Sequence, residues 1–145
     1  MNLNPDIWGP HYWFFLHTIT MFYPKYPNDV TKKKYYEFIS NLPLFIPVDN
    51  ISNHFSELLD IYPVTPYLDS RQEFVKWMHF IHNKINERIG KPKLSLNDFY
   101  IQYYEQYKPK ETISRETRKW REKIVYICFL LAVVFLMIYL YNKSY

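Results

Sequence analysis

Ten prolines cut this chain into pieces of helical length. They stand at positions 5, 10, 24, 27, 43, 47, 63, 66, 92 and 109. Proline breaks helix interiors and is excluded from central strands, so ordered elements must fit between these points. Pro10 to Tyr23 suits one helix. Asp29 to Ser40 suits a second, with Val30, Tyr35, Phe38, Ile39 and Leu42 at helical spacing. Asp49 or Asn50 can cap a short helix running to about Leu59. Ser70-Arg-Gln-Glu73 is a capping box opening the clearest helix, which runs to about Ile89. Gly90 terminates that helix and Pro92 prevents its resumption. Ser95-Leu-Asn-Asp98 opens a fifth helix, ending near Pro109. No stretch alternates as a half-buried strand does. The pattern predicts an all-α fold: a four-helix bundle with a short fifth helix.

Beyond Pro109 the chain changes character. Ile124 to Tyr141 is a run of eighteen residues without a charge. At ~1.5 Å per residue it would span about 27 Å as a helix, close to the thickness of a bilayer core. Tyr126, Tyr139 and Tyr141 stand near its two ends, and Trp120 just before it, where amphipathic rings prefer the interface. A buried core helix is the competing reading, but core helices are rarely so apolar on every face. Arg115, Arg118, Lys119, Arg121 and Lys123 precede the run, and of the cations only Lys143 follows it. This bias predicts a single-pass membrane protein with its N-terminal domain on the cytosolic side. The four-residue tail, 142–145, predicts tail anchoring. The expected organisation is a helical domain over 1–108, a basic juxtamembrane stalk over 109–123 and a transmembrane helix over 124–141.

Composition removes several functions. Two glycines in 145 residues leave no phosphate-binding P-loop and no Rossmann fingerprint. One cysteine, Cys128, leaves no disulfide or dithiol chemistry within a single chain. Residues 1–110 hold 12 Lys and Arg against 11 Asp and Glu. A nearly neutral domain gives nucleic acid nothing to bind, so no nucleic-acid partner is expected.

Two helices carry unusual stripes. Gly9, Trp13 and His17 follow one another at intervals of four and share one face of the first. A glycine there leaves room, a tryptophan supplies a flat wall, and a histidine supplies a hydrogen bond. On the capping-box helix, His79, His82, Asn83 and Asn86 form a polar, uncharged face opposite Phe74, Trp77, Ile81, Ile85 and Arg88. Three readings suit that face: a solvated surface, a metal shared by His79 and His82, or a flat polar ligand such as an isoalloxazine or adenine ring. The metal reading is weak because no carboxylate shares the face, and no metal is expected.

These residues also form motifs. Trp8-Gly9-Pro10-His11-Tyr12-Trp13 is followed by Leu16-His17-Thr18 and Tyr23-Pro24, then by Trp77, His82-Asn83-Lys84-Ile85-Asn86 and Gly90-Lys91-Pro92. In order and spacing they resemble the Erv/ALR family of FAD-dependent sulfhydryl oxidases, above all its short viral members, over roughly residues 7–108. The resemblance implies a four-helix bundle with a short fifth helix and FAD as cofactor. It implies FAD contacts from Gly9, Trp13, His17, Tyr23, His82, Asn83, Asn86 and Lys91.

One departure falls at the reaction centre. The family pattern P-C-x-x-C-x-x-H-F meets Pro47-Val48-Asp49-Asn50-Ile51-Ser52-Asn53-His54-Phe55 here. Val48 and Ile51 stand at the positions of the redox pair. Neither offers a nucleophile or a redox state, so the expected catalytic residues are none. The family's structural disulfide is also missing, with His79 at one of its positions. With this departure and the apolar run, the resemblance implies a catalytically inactive, membrane-anchored flavoprotein or structural protein of viral type, working with viral structural proteins. The alternative is a sulfhydryl oxidase whose thiols come from a partner; a flavin-dependent electron-transfer module is a third reading. Family members also pair through their first helices, which implies a homodimer using Phe14, Phe15, Met21 and Phe22.

Overall fold

The computed structural model describes residues 3–144, with the side chains of 110–114 and 144 outside the described set. The described residues form helices and contain no strand. The helices are α1 (Pro5–Met21), α2 (Asp29–Asn41), α3 (Asp49–Ile61), α4 (Arg71–Arg88), α5 (Leu96–Glu105) and α6 (Lys110–Ser144), with 3-10 turns at Leu42–Phe45 and Thr65–Tyr67.

Cap chemistry explains most boundaries. Ser70 accepts a hydrogen bond from the Glu73 amide at 3.2 Å, as the capping box requires. Ser95 accepts from the Asp98 amide at 3.1 Å. Gly90, with φ at +73°, closes α4: the Lys91 amide reaches the Asn86 carbonyl at 2.8 Å, and the Gly90 amide reaches Glu87. That pair of bonds is a Schellman motif, which needs a residue free to turn left-handed.

Two boundaries differ from expectation. α1 starts at Pro5 rather than Pro10, because Asn4 caps it by accepting from the Asp6 amide. Pro10 lies inside the helix, just past its first turn, where it forfeits a single ladder bond. Neither Asp49 nor Asn50 caps α3. The cap position is Val48, which makes no side-chain bond, and Asp49 stands in the first turn.

α4 is the central element. Phe74, Trp77, Met78, Ile81 and Ile85 are buried against Leu16 of α1, Ile39 of α2, and Ile51, Phe55 and Leu58 of α3. Each such side chain contributes roughly 1.5–3 kcal/mol by leaving water. Trp77 also donates its indole N–H to the Tyr62 carbonyl at 3.0 Å. A smaller cluster of Val75, Phe99 and Tyr103 fixes α5, with Phe14 and Met21 packed on it. Val30, at helical spacing with the apolar residues of α2, is 69% exposed.

The chain divides into two compact units, Met1–Tyr103 and Tyr104–Tyr145. In the second, α6 is one continuous helix through both the basic segment and the apolar run. Its stretch Arg115–Lys143 is long and apolar enough to cross a membrane, with a most apolar window of mean hydropathy 2.7, none of it buried.

Candidate functional site

The two stripes meet. α1 brings Trp13 and His17 against His82 on the polar face of α4, with Gly9 one turn before Trp13. Trp13 lies flat on His82, with ring centroids 3.9 Å apart and planes 14° from parallel. His17 Nε2 is 3.0 Å from His82 Nδ1. The other side of His17 meets Phe99 of α5 at 4.3 Å between centroids.

Burial fixes the charge state of this pair. His17 is pushed down to about 3, first by its burial and then by the neighbouring His82 and His79. His82 is also pushed down to about 3, by burial and then by His79 and Lys91. Both rings are therefore neutral at pH 7, and one N–H is shared between them. His17 Nδ1 is buried without a hydrogen-bond partner among the described residues. An unpaired lone pair costs less than an unpaired N–H, which favours His17 Nε2–H donating to His82 Nδ1. His17 Nδ1 is then a buried acceptor awaiting a donor.

Beside Trp13 runs a small apolar cleft of about 40 Å³, partly open to solvent. Gly9, Trp13, Leu16, Ile51, Phe55 and Ile85 are among its walls. Gly9 is buried, yet nothing lies within 4 Å of where a Cβ would stand. Ile51 occupies the first turn of α3, where free amides and the helix dipole would favour a thiolate over a thiol. An isoleucine there supplies only volume.

The other expected residues are placed differently. Asn83 is committed to the backbone of Leu94: its Oδ1 accepts at 2.8 Å and its Nδ2 donates at 2.9 Å. His79 Nε2 meets the same Leu94 carbonyl at 2.9 Å. Half of the polar face thus clamps the segment entering α5. Asn86 is buried on α4, one turn beyond His82. Lys91 is half-exposed and its Nζ is 2.7 Å from Asp6, tying the end of α4 to the start of α1. Tyr23 is not brought to the cluster. It is wholly buried, with its hydroxyl donating to the Leu68 carbonyl at 2.8 Å and its ring against Tyr35 and Phe74. Among the described residues no three His, Cys, Asp or Glu side chains gather as a metal site. Phe99 was not marked by the sequence pattern, since only the return of α5 onto α1 brings it to His17.

Comparison with known proteins agrees with this geometry. The model of the Erv1 / Alr family matches residues 10–108. A probable FAD-linked sulfhydryl oxidase of Acanthamoeba polyphaga mimivirus is 33% identical over 94 residues, covering 64% of this chain and 66% of that protein. A putative FAD-linked sulfhydryl oxidase of Invertebrate iridescent virus 6 is 30% identical over 98 residues, covering 64% of this chain and 88% of that protein. Among solved structures, the FAD binding domain of Erv1 from Saccharomyces cerevisiae superposes with a TM-score of 0.64 at 25% identity, covering 70% of this chain and 95% of that one. Sequence motifs, helix order and the meeting of the two stripes lead to one conclusion: the chain belongs to the Erv1/Alr family.

Proposed function

We propose that this chain is a membrane-anchored, FAD-binding member of the family that does not oxidise thiols, and that serves as a structural or interaction protein. The carrying observation is Ile51, which lines the cleft from the first turn of α3, in a chain whose one cysteine, Cys128, lies in the apolar run of α6.

The residues present suit a flat, polar-edged cofactor. Gly9 leaves the α1 surface open, the Trp13–His82 stack offers a planar wall, and His17 Nδ1 lacks a donor. Gly9, Trp13, His17, His82 and Asn86 would hold the flavin, with Asn83 supporting them through Leu94. A bound flavin supplies a two-electron acceptor. This chain's own residues then bind and orient it, and an apolar wall of Ile51 excludes water. The one cysteine, Cys128, lies in α6, so no thiol of the helical domain can pass electrons on. The basic segment before the apolar run supports a cytosolic N-terminal domain. Its viral relatives support a role at a viral membrane.

The full chain, purified in mild detergent, tests this reading. A flavin absorption band near 450 nm, without oxygen uptake above free FAD when dithiothreitol is added, is the expected result. Robust FAD-dependent oxygen uptake would return the chain to the oxidases. A chain that stays colourless with added FAD would remove the cofactor from the proposal.

A further inference from the structure

α6 carries a second chemistry besides its apolar run. Arg115, Arg118, Lys119, Arg121 and Lys123 lie within nine residues, with Glu116 and Glu122 as the only acids, a net of +3. Because the helix is continuous from Lys110 to Ser144, these cations are fixed on the same rod as the span. At ~100° per residue they cover roughly 200° of its circumference and about 12 Å of its length. Trp120, 66% exposed, takes the remaining side, with Lys123 Nζ 5.6 Å from its ring. Arg118 pairs with Glu122 at 3.3 Å, while Arg115, Lys119 and Arg121 make no ion pair among the described residues. All of these groups are exposed.

We propose that this collar selects anionic phospholipids, gathering phosphatidylserine-type headgroups around α6 where it enters the bilayer. Charge complementarity carries the assignment. The depth of the collar matches a headgroup layer and the first Debye length beyond it, where each cation attracts an anionic surface. An arc of cations over more than half of the circumference suits lipids, which approach from several sides at once, whereas one peptide ligand would need one narrow face. The proposal rests on α6 spanning a membrane.

Spin-labelled lipids around the full chain in vesicles test it. Spin-labelled phosphatidylcholine and phosphatidylserine are compared at equal protein-to-lipid ratio, and the motion-restricted fraction is read from the electron spin resonance spectrum. The expected result is a restricted component for both lipids, with relative association several-fold higher for phosphatidylserine. That preference should shrink in ~0.5 M salt. It should fall close to parity in the triple variant Arg115→Gln, Lys119→Gln, Arg121→Gln, whose phosphatidylcholine component stays unchanged. Equal association of both lipids with the native chain would overturn the collar while leaving the span intact. No restricted component for either lipid would overturn the spanning reading and the collar with it.

Discussion

Trp13 and His82 stack face to face at 3.9 Å, and the same His82 hydrogen-bonds His17, one turn beyond Trp13 on α1. One imidazole from α4 is thus held at its face and at its edge by a single helix. Removing either support should affect both the bundle and any cofactor. Trp13→Ala deletes the wall, and His82→Ala leaves His17 without its one partner. Each should weaken flavin binding by ~1–3 kcal/mol. Titration of the full-length variants with FAD, followed by quenching of flavin fluorescence, measures this. Unchanged affinity in the double variant would show that the flavin lies elsewhere.

The pair also makes stability depend on pH in a defined direction. An unfolded histidine titrates near 6.5, whereas both rings are held near 3 in the fold. Between those values the unfolded chain binds more protons. The stability due to the neutral pair is therefore complete above about pH 6.5 and is lost as pH falls towards 3. The slope is at most about 1.4 kcal/mol per pH unit for each ring. Urea denaturation at pH 7.5 and pH 5 should show a lower midpoint at pH 5. Replacing His17 and His82 together with Gln should flatten the difference. A midpoint that holds or rises towards pH 5 contradicts the assignment of neutral rings.

Much of this site was legible before the structure, for reasons that can be named. Intervals of four on α1 and three-four on α4 force their members onto common faces, so the two stripes needed no tertiary information. Caps at Ser70 and Ser95 and the stop at Gly90 are local chemistry, and they fell where the residues put them. What the sequence left open was non-local. Tyr23 matches a family motif, yet its hydroxyl is spent on Leu68, forty-five residues away. Asn83 shares the face of His82, yet Leu94 claims its amide from the chain entering α5. Polarity at the right spacing marks a face, but only the packed chain decides which partner takes each group. The cap of α3 failed differently: Asp49 and Asn50 are good caps, but the helix begins one residue earlier than they allow.

The surface of α1 narrows the expected self-association. Of the four residues expected at a dimer contact, Phe14 and Met21 pack towards α5 instead. Phe15 at 55% exposure and Phe22 at 74% remain outside, joined by Ile7 at 70%. These lie along α1 and at its C-cap, and burying them would be favourable by the usual ~25 cal/mol per Å². We expect a homodimer through this face. Sedimentation of the chain in density-matched detergent should give a dimer mass, reduced to a monomer by Phe15→Glu with Phe22→Glu. A monomer mass for the native chain at tens of micromolar would remove the contact.

The final prediction concerns the two residues in place of a dithiol. Val48 holds the cap position of α3 and is half-buried, and Ile51 follows in its first turn at 7% exposure. Cysteine is smaller than either but packs as a small hydrophobe, so Val48→Cys with Ile51→Cys should fold. The lost methyl groups should cost about 1–2 kcal/mol, read as a lower denaturation midpoint. The thiol at position 51 would meet the free amides and positive dipole end of α3, which lower a thiol's pKa and raise its thiolate fraction at neutral pH. It would also face the cleft shared with Gly9 and Trp13. If the chain holds FAD, the double variant should consume oxygen with dithiothreitol at a rate well above free flavin, while the parent stays at background. Val48→Cys alone and Ile51→Cys alone should both fall far short of the pair, since the cycle needs two sulfurs. A flavin-bound double variant that stays at background would mean that the pocket has lost more than its cysteines. A parent chain as active as the variant would mean that this chain oxidises thiols without a sulfur at position 48 or 51.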